Sequence, residues 1–140
     1  MDVSSIFAGG FSWSLKDLPS VELDRKGWEL EVFSNVNDEY DCVWHNKLGF
    51  MEVGNGDYIA FDLLVPNDPP VVYLSHDDGQ GHGYILGHNF IDFMNRWTRI
   101  GCVGREGWQM FPFLEGPNTG IMPDSENAIK WRDYLKVSLG

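Results

Sequence analysis

Short β-type runs separated by strong turn signals constrain the fold of this chain more than any other feature. The segment 54–57 (GNGD) favours a turn, because glycine and asparagine tolerate positive φ. On either side, residues 48–53 and 58–64 are short and apolar, which predicts two strands. Residues 71–74 (VVYL) and 84–86 (YIL) predict two more strands around a Gly-rich loop.

The clearest helical patterns come late in the sequence. Apolar residues recur at helical spacing over 90–100, with Asn89 as the predicted N-cap and Gly101 as the predicted stop. A second helix is predicted to begin after Asp124 or Ser125. Several strands followed by helices indicate an α+β fold, with a largely antiparallel β-sheet packed by helices.

The first part of the chain has a mixed pattern. Pro19 indicates that no helix runs through its position. Residues 28–33 (WELEVF) alternate apolar and acidic side chains, which predicts a half-buried strand. Residues 35–41 (NVNDEYD) are polar and acidic, and they predict a loop.

The net charge excludes some classes of partner. Ten Lys and Arg residues stand against 21 Asp and Glu residues, which leaves a formal charge of −11. Such a surface repels nucleic acid and anionic membranes, so we expect direct binding to neither. It suits docking onto a basic protein, and it also fits an acidic surface that only maintains solubility.

Length and apolar content predict one domain over residues 1–140. No apolar run approaches the roughly 20 residues that a transmembrane helix needs. The segment MDVSSIFAGG has no basic residue ahead of its apolar patch, which is not typical of a signal peptide, so we expect a cytoplasmic protein. Cys42 and Cys102 have no metal-binding spacing and are predicted to be buried free thiols.

Three of the four histidines cluster in YLSHDDGQGHGYILGH, residues 73–88. The ligands of a metal-dependent hydrolase would come from this cluster, at His76, Asp77, His82 and His88. The even six-residue spacing of the histidines matches neither HExxH nor a Cys/His finger. A turn at Asp77 and Asp78 explains the acids as loop formers. The sequence therefore predicts no catalytic residue, no metal and no cofactor, with the hydrolase as the alternative.

Six tryptophans are unusual for a chain of this length. Trp97 and Trp131 lie on the apolar faces of their predicted helices, which indicates packing in the core. Tryptophan is also enriched where protein partners meet. We expect one or two partner contacts among the others, which are Trp13, Trp28, Trp44 and Trp108.

Three motifs, in this order and spacing, resemble the SUKH superfamily, which includes the bacterial homologues of the yeast cell-wall assembly regulators. The first is a GNGD turn with the strand after it, here GNGDYIAFDL (54–63). The second is a PVVYL-x-H strand, here residues 70–76, and the third is an F-x-x-F-x-x-x-W helix, here within NFIDFMNRW (89–97). DSENAIKWRDYL is similar to the family's closing helix, so the resemblance spans roughly residues 9–135.

The resemblance implies a SUKH-like α+β domain and, in bacteria, the common role of an immunity protein that binds and neutralises a toxin, often a nuclease. No catalytic residues are ascribed to the family, so the resemblance implies none here. Family members begin with a helical segment of which residues 5–10 resemble only the tail. Either the start was shortened or this member lacks the leading helices, and a part of the sheet left uncovered would favour a homo-oligomer or a partner there.

The charge, the lack of a catalytic set and the resemblance together predict a non-enzymatic, acidic binding protein that neutralises a basic cognate toxin. A nuclease toxin would present a basic cleft to such a protein. An intracellular regulatory scaffold of the yeast type is a further alternative. The predicted partner-binding acids lie in two loops, at Asp38, Glu39, Asp41, Asp77 and Asp78.

Overall fold

One antiparallel sheet organises the protein, for which a computed structural model describes residues 14–77 and 79–139. Its strands are β1 (Lys47–Glu52), β2 (Tyr58–Asp62), β3 (Val71–Leu74) and β4 (Ile85–Gly87). They lie side by side in chain order, and each pairs antiparallel with the next. The predicted α+β fold, with an antiparallel sheet packed by helices, is confirmed, as are the four predicted strand regions.

In the described part of the chain, four α-helices surround the sheet, and three short 3-10 helices lie among the connections. The α-helices are α1 (Leu18–Glu31), α2 (Phe90–Arg99), α3 (Gly107–Met110) and α4 (Glu126–Leu139). The 3-10 helices are Leu15–Asp17, Asp41–Trp44 and Phe111–Phe113.

The two helices predicted late in the chain are confirmed, together with their caps. The Asn89 side chain accepts the Asp92 amide at 2.7 Å, which is the geometry of an N-cap. After α2, Gly101 adopts φ 74°, a left-handed conformation that glycine reaches at low cost. The Ser125 hydroxyl accepts the Ala128 amide at 3.3 Å, so Ser125 caps α4.

Both faces of the sheet are buried, because successive side chains of a strand point to opposite sides. Along β3, Val71 and Tyr73 pack into the larger core, whereas Val72 and Leu74 pack into the smaller core. The larger core is closed mainly by α2, α3 and α4, and the smaller core by α1 and the 3-10 helix 41–44. A sheet covered on both sides explains why all four side chains of β3 are buried.

The strand predicted over residues 28–33 is wrong, because α1 runs through this segment to Glu31. Pro19 lies in the first turn of α1, where its missing N–H would have no helical partner. The alternating pattern does not match the burial, since Leu30 and Val32 are 63% and 53% exposed. Instead Glu29 points inward, and the reason is a buried arginine one turn earlier.

That arginine, Arg25, is 1% exposed and holds α1 against the sheet. Its guanidinium contacts Glu22 at 2.7 Å and Glu29 at 2.8 Å, and it donates to the Trp44 carbonyl at 2.7 Å. Burial opposes the charge, but the bonds to Glu22 and Glu29 outweigh burial, so the pKa of Arg25 is raised. We call Arg25, Glu22 and Glu29 the Arg25 network.

The two edges of the sheet are engaged by other parts of the chain. At the β1 edge, the Gly49 amide donates to the Glu22 carboxylate at 2.5 Å, and the pairing with β2 is irregular between Gly49 and Met51. At the β4 edge, the Ile85 amide donates to the Pro117 carbonyl at 2.8 Å. The segment after Pro117 also returns to β4, since the Ile121 amide donates to the Leu86 carbonyl.

Three other sequence predictions have different outcomes. Cys42 is exposed and Cys102 is half-buried, so the prediction of buried thiols is wrong. Both are free cysteines, as predicted. The expected loss of leading helices concerns residues 1–13, which lie outside the described part of the chain. Over residues 14–77 and 79–139, no helix combines the length and the apolar character that crossing a membrane requires.

Candidate functional site

The GNGD turn places a buried carboxylate, Asp57, at the start of β2. Within the turn, the Asn55 side chain accepts the Asp57 amide at 2.9 Å, which is a common side-chain closure of such loops. Gly56 has φ 106°, and a Cβ there would lie 2.9 Å from the ring of His76. Glycine at this position therefore allows the His76 ring to approach the turn. Asp57 itself is only 5% exposed.

Asp57 is the centre of a second buried cluster, which we call the Asp57 network and which contains Asp57, Tyr73 and His76. One carboxylate oxygen accepts the His76 backbone amide at 2.9 Å and lies 2.5 Å from His76 Nδ1. The other oxygen accepts the Tyr73 hydroxyl. Burial raises the pKa of Tyr73, and the neighbouring carboxylate raises it further.

The Asp57 network also reaches the helical layer. The Tyr73 hydroxyl accepts the backbone amide of Gly107, the first residue of α3, at 3.0 Å. One phenol thus joins β3 to both the GNGD turn and α3. This hydrogen bond therefore links the start of α3 to the sheet.

The two predicted acidic loops are joined to each other through His82. The Ser75 amide donates to His82 Nδ1 at 3.0 Å, so this nitrogen acts as an acceptor. The other ring nitrogen, Nε2, lies 2.9 Å from the Tyr40 carbonyl and must donate to it. One nitrogen accepting and the other donating is the hydrogen-bonding pattern of the neutral imidazole.

Tyr40 makes two further contacts with the second loop, and Trp44 adds a third. Its hydroxyl donates to the Ser75 carbonyl at 2.6 Å, and its ring stacks on His82 with centroids 3.9 Å apart. The Trp44 indole N–H donates to the same carbonyl at 3.2 Å. The residues after Asp38 and those after β3 are therefore held as one surface, although they are more than 30 positions apart in sequence.

The described acids of this surface are exposed or half-buried, as a docking surface requires. Asp38, Glu39 and Asp77 are exposed and Asp41 is half-buried, while Asp78 lies outside the described residues. Asp38 accepts the Tyr40 amide at 2.8 Å and the Asp41 amide at 3.0 Å, so it also shapes its own loop. Asp77 accepts the Ser75 hydroxyl at 2.9 Å.

The negative charge of this surface is not neutralised by nearby cations. Among the residues that the structure describes, none of the four acids lies within ion-pair distance of a Lys or Arg. Elsewhere, seven of the ten cationic residues pair with an acid, and these are Arg25, Lys47, Arg96, Arg99, Lys130, Arg132 and Lys136. The four acids of the joined loops therefore carry charge without a Lys or Arg partner in the described part of the chain.

The four residues of the alternative metal site do not converge. Both ring nitrogens of His82 are engaged with backbone groups, and His88 lies in the turn between β4 and α2. His76 and Asp77 group with Asp57, with potential ligand atoms within 4.8 Å of one another. His76 Nδ1 and the Asp57 oxygen are 2.5 Å apart, which is a hydrogen-bond distance, whereas two ligands of one tetrahedral zinc lie about 3.4 Å apart.

The tryptophans divide between core and surface. Trp44 is fully buried and Trp97 is 6% exposed, while Trp131 is half-buried against the larger core, so the predicted core roles of Trp97 and Trp131 are confirmed. Trp28 is half-buried beside His76, with ring centroids 5.4 Å apart. Trp108 is 72% exposed, whereas Trp13 lies outside the described residues.

Sequence reasoning identified the acids of this surface but missed the residues that assemble it. Asp57 was interpreted only as part of a turn, and Tyr73 only as part of a strand. The contact between Tyr40 and His82 gave no recognisable sequence signal, because it joins positions 42 residues apart. The one usable signal was the carboxylate of the GNGD turn, since a carboxylate that starts a buried strand needs a partner.

Comparison with family models, with curated proteins and with solved structures finds no significant match to this chain. The resemblance to the SUKH superfamily therefore stays a prediction from the three motifs.

Proposed function

We propose that this chain is a non-enzymatic acidic binding protein, which docks onto a basic protein partner through its two joined loops. The observation that carries the proposal is that contacts between the two loops bring four acids onto one surface, and these are Asp38, Glu39, Asp41 and Asp77. In the described part of the chain, none of these acids has a Lys or Arg within ion-pair distance. Such a surface steers a basic partner toward it and raises the rate of association.

The partner that we infer is a toxin, neutralised in the cytoplasm by an immunity protein. The motif resemblance supports this role, and the charge supports it independently, because a toxin that acts on nucleic acid has a basic substrate cleft. An acidic protein that covers such a cleft blocks access without any chemistry of its own.

The first test is protection of growth when the protein is co-expressed with toxins encoded beside it. A variant that removes three charges from the surface, Asp38→Asn, Glu39→Gln and Asp41→Asn, should lose protection. Asparagine keeps the acceptor oxygens that shape the loop at positions 38 and 41, so the fold should be retained.

The matched control removes the same number of charges from exposed acids elsewhere, at Glu31, Glu115 and Asp133. It changes the net charge by the same amount but leaves the acids of the two loops in place, so it should still protect. Equal loss of protection in both variants would show that no particular surface is used. Failure to protect against any neighbouring toxin would overturn the immunity role itself.

A second function, a metal-dependent hydrolase, is favoured only by the grouping of Asp57, His76 and Asp77. It requires the 2.5 Å contact between His76 and Asp57 to open so that a cation enters. Elemental analysis of untagged protein tests it. One equivalent of zinc, manganese or iron that is lost in His76→Ala and kept in His88→Ala would support it, and metal-free protein would reject it.

A further inference from the structure

A groove of about 300 Å³ opens beside the Asp57 network, between the loop after β3 and the start of α3. Asp77 and Gln80 line it from the loop, and Trp108 and Phe111 line it from the helical side. Tyr73, which is buried, also contributes to the lining. The volume of the groove is at the lower limit for small-molecule sites, and this size suits a single inserted side chain.

The exposed face of Trp108 is the feature of this groove that packing does not explain. The side chain is 72% exposed, although tryptophan usually buries most of its surface. Its indole N–H donates to the carboxylate of Glu106, which orients the ring. An exposed aromatic face that is held in place and lies near carboxylates attracts cations, because the ring's quadrupole is negative above its plane.

The charged side chains named at the groove have the same sign as the net charge of the chain. Asp77 and Glu106 are acidic, and one Asp77 oxygen accepts the Ser75 hydroxyl. The nearest cation along the chain, Arg105, is not among the lining residues, and its guanidinium donates to the Glu52 carbonyl at 2.7 Å. A cation that enters the groove thus meets an aromatic face and a carboxylate.

We propose that this groove receives an arginine side chain of the basic protein partner. A guanidinium suits both walls, since its plane stacks on an indole and its N–H groups donate to a carboxylate in a fixed geometry. The inference rests on the proposed function, because it names one residue type by which the partner is held. It extends the docking surface from the acidic loops to α3, and it assigns a role to Trp108.

The probe is a capped hexapeptide of arginine, compared with the matching hexapeptide of citrulline, which keeps the shape and loses the charge. Binding is measured by calorimetry at low ionic strength, and the indole ¹H–¹⁵N signal of Trp108 reports the location. We expect the arginine peptide to bind and to shift this signal, and the citrulline peptide to do neither. Trp108→Ala should weaken binding about 2- to 5-fold, the range for an exposed cation–π contact.

Matched variants distinguish binding in the groove from attraction by the overall charge of the protein. Asp77→Asn should weaken binding of the arginine peptide more than Glu115→Gln, which removes one exposed charge outside the groove. Ile91→Ala removes a side chain as exposed as Trp108, 72%, and should leave binding unchanged. Thermal unfolding of Trp108→Ala checks that the fold is kept, and Trp108→Phe, which retains an aromatic face, should restore part of the affinity.

Three results would overturn the inference. Equal weakening by Asp77→Asn and Glu115→Gln would mean that only net charge matters. Binding of spermidine as tight as that of the arginine peptide would indicate a site for small cations. If Trp108→Ala keeps both full toxin protection and full peptide affinity, the groove is not part of the interface. That result would leave the proposal for the acidic loops in place. Conversely, peptide binding without protection against any toxin would reject the proposed function alone.

Discussion

The Arg25 network and the Asp57 network are both hydrogen-bonded clusters at the sheet, and each of them borders a groove. Arg25 is 1% exposed, and its guanidinium bonds end on Glu22, Glu29 and the Trp44 carbonyl. Asp57 is almost as buried, and its partner His76 is 23% exposed at the side chain, as Glu22 is in the first network. The residue after His76 is the exposed acid Asp77.

The two networks differ in what they hold together. The Arg25 network joins α1 to β1 and to the 3-10 helix 41–44, so its partners lie within the protein. The Asp57 network fixes the positions of the residues that line the groove and the acidic surface. We therefore expect substitutions in the first to act on stability, and substitutions around the second to act on both stability and binding.

Arg25→Met should have the largest effect, a loss of about 3–5 kcal/mol in the free energy of unfolding, because it leaves two carboxylates without their cation. Urea unfolding at pH 7 measures it, with Lys26→Met as the control, since Lys26 is exposed on the same helix. The control should change stability by less than about 0.5 kcal/mol. A loss below about 1 kcal/mol for Arg25→Met would show that the network contributes little.

The close approach of the His76 ring to the turn can be tested by comparing the free energies of unfolding of Gly56→Ala and Gly54→Ala. Both glycines have positive φ, 106° and 100°, so alanine at either costs about 1–2 kcal/mol. Only a Cβ at Gly56 meets the His76 ring, which should add about 1–3 kcal/mol. Equal unfolding free energies of the two variants would mean that the ring moves away freely.

Tyr73→Phe should lower the free energy of unfolding by about 1–3 kcal/mol, because Asp57 and the Gly107 amide each lose a hydrogen-bond partner. Urea unfolding at pH 7 measures the loss.

Because of Tyr73, we also expect the stability to depend on pH in the alkaline range. The pKa of Tyr73 is raised by burial, so the folded protein keeps a proton that the unfolded chain loses at about pH 10. The free energy of unfolding should therefore fall as the pH rises above about 10.

The alkaline loss should be smaller in Tyr73→Phe than in the parent protein, and it should persist in part, because burial also raises the pKa of Tyr58. Urea unfolding at pH 9 and pH 11 provides the comparison. Tyr134→Phe, at an exposed position, is the control and should leave the alkaline slope unchanged. An unchanged slope in Tyr73→Phe would contradict the assignment.

Trp108→Ala should have the smallest effect on stability, within about 0.5 kcal/mol, since 72% of the side chain is exposed. It sharpens the comparison because the same substitution is expected to weaken binding of a basic peptide. Thermal unfolding and peptide titration on one preparation test both. A large loss of stability would show that Trp108 serves packing, as Trp97 does.

The sheet could be predicted from local sequence, whereas α1 could not. The GNGD turn and the apolar runs beside it determine β1, β2 and β3, because turns and period-2 patterns are local. In α1, the inward position of Glu29 depends on Arg25, and Arg25 is held by the Trp44 carbonyl, 19 positions away. No pattern within residues 28–33 contains that information.

The candidate site divides in the same way. The acids of the two loops were predicted from composition, and the described ones are exposed or half-buried. That the loops meet depends on Tyr40, Ser75 and His82, which are distant in sequence and chemically unremarkable one by one. The histidine cluster suggested a ligand set, but the structure uses His82 as a link between backbone groups.

The protected sheet edges bear on how copies of this chain can associate. An unprotected edge strand pairs with an edge of a second molecule and can extend into aggregates. Here an incoming strand at β1 would have to displace the carboxylate of Glu22 and fit an irregular pairing register, and at β4 it would have to displace the segment 117–121. Self-association by a continuous intermolecular sheet is therefore disfavoured at both edges, and a dimer would have to form through side-chain surfaces.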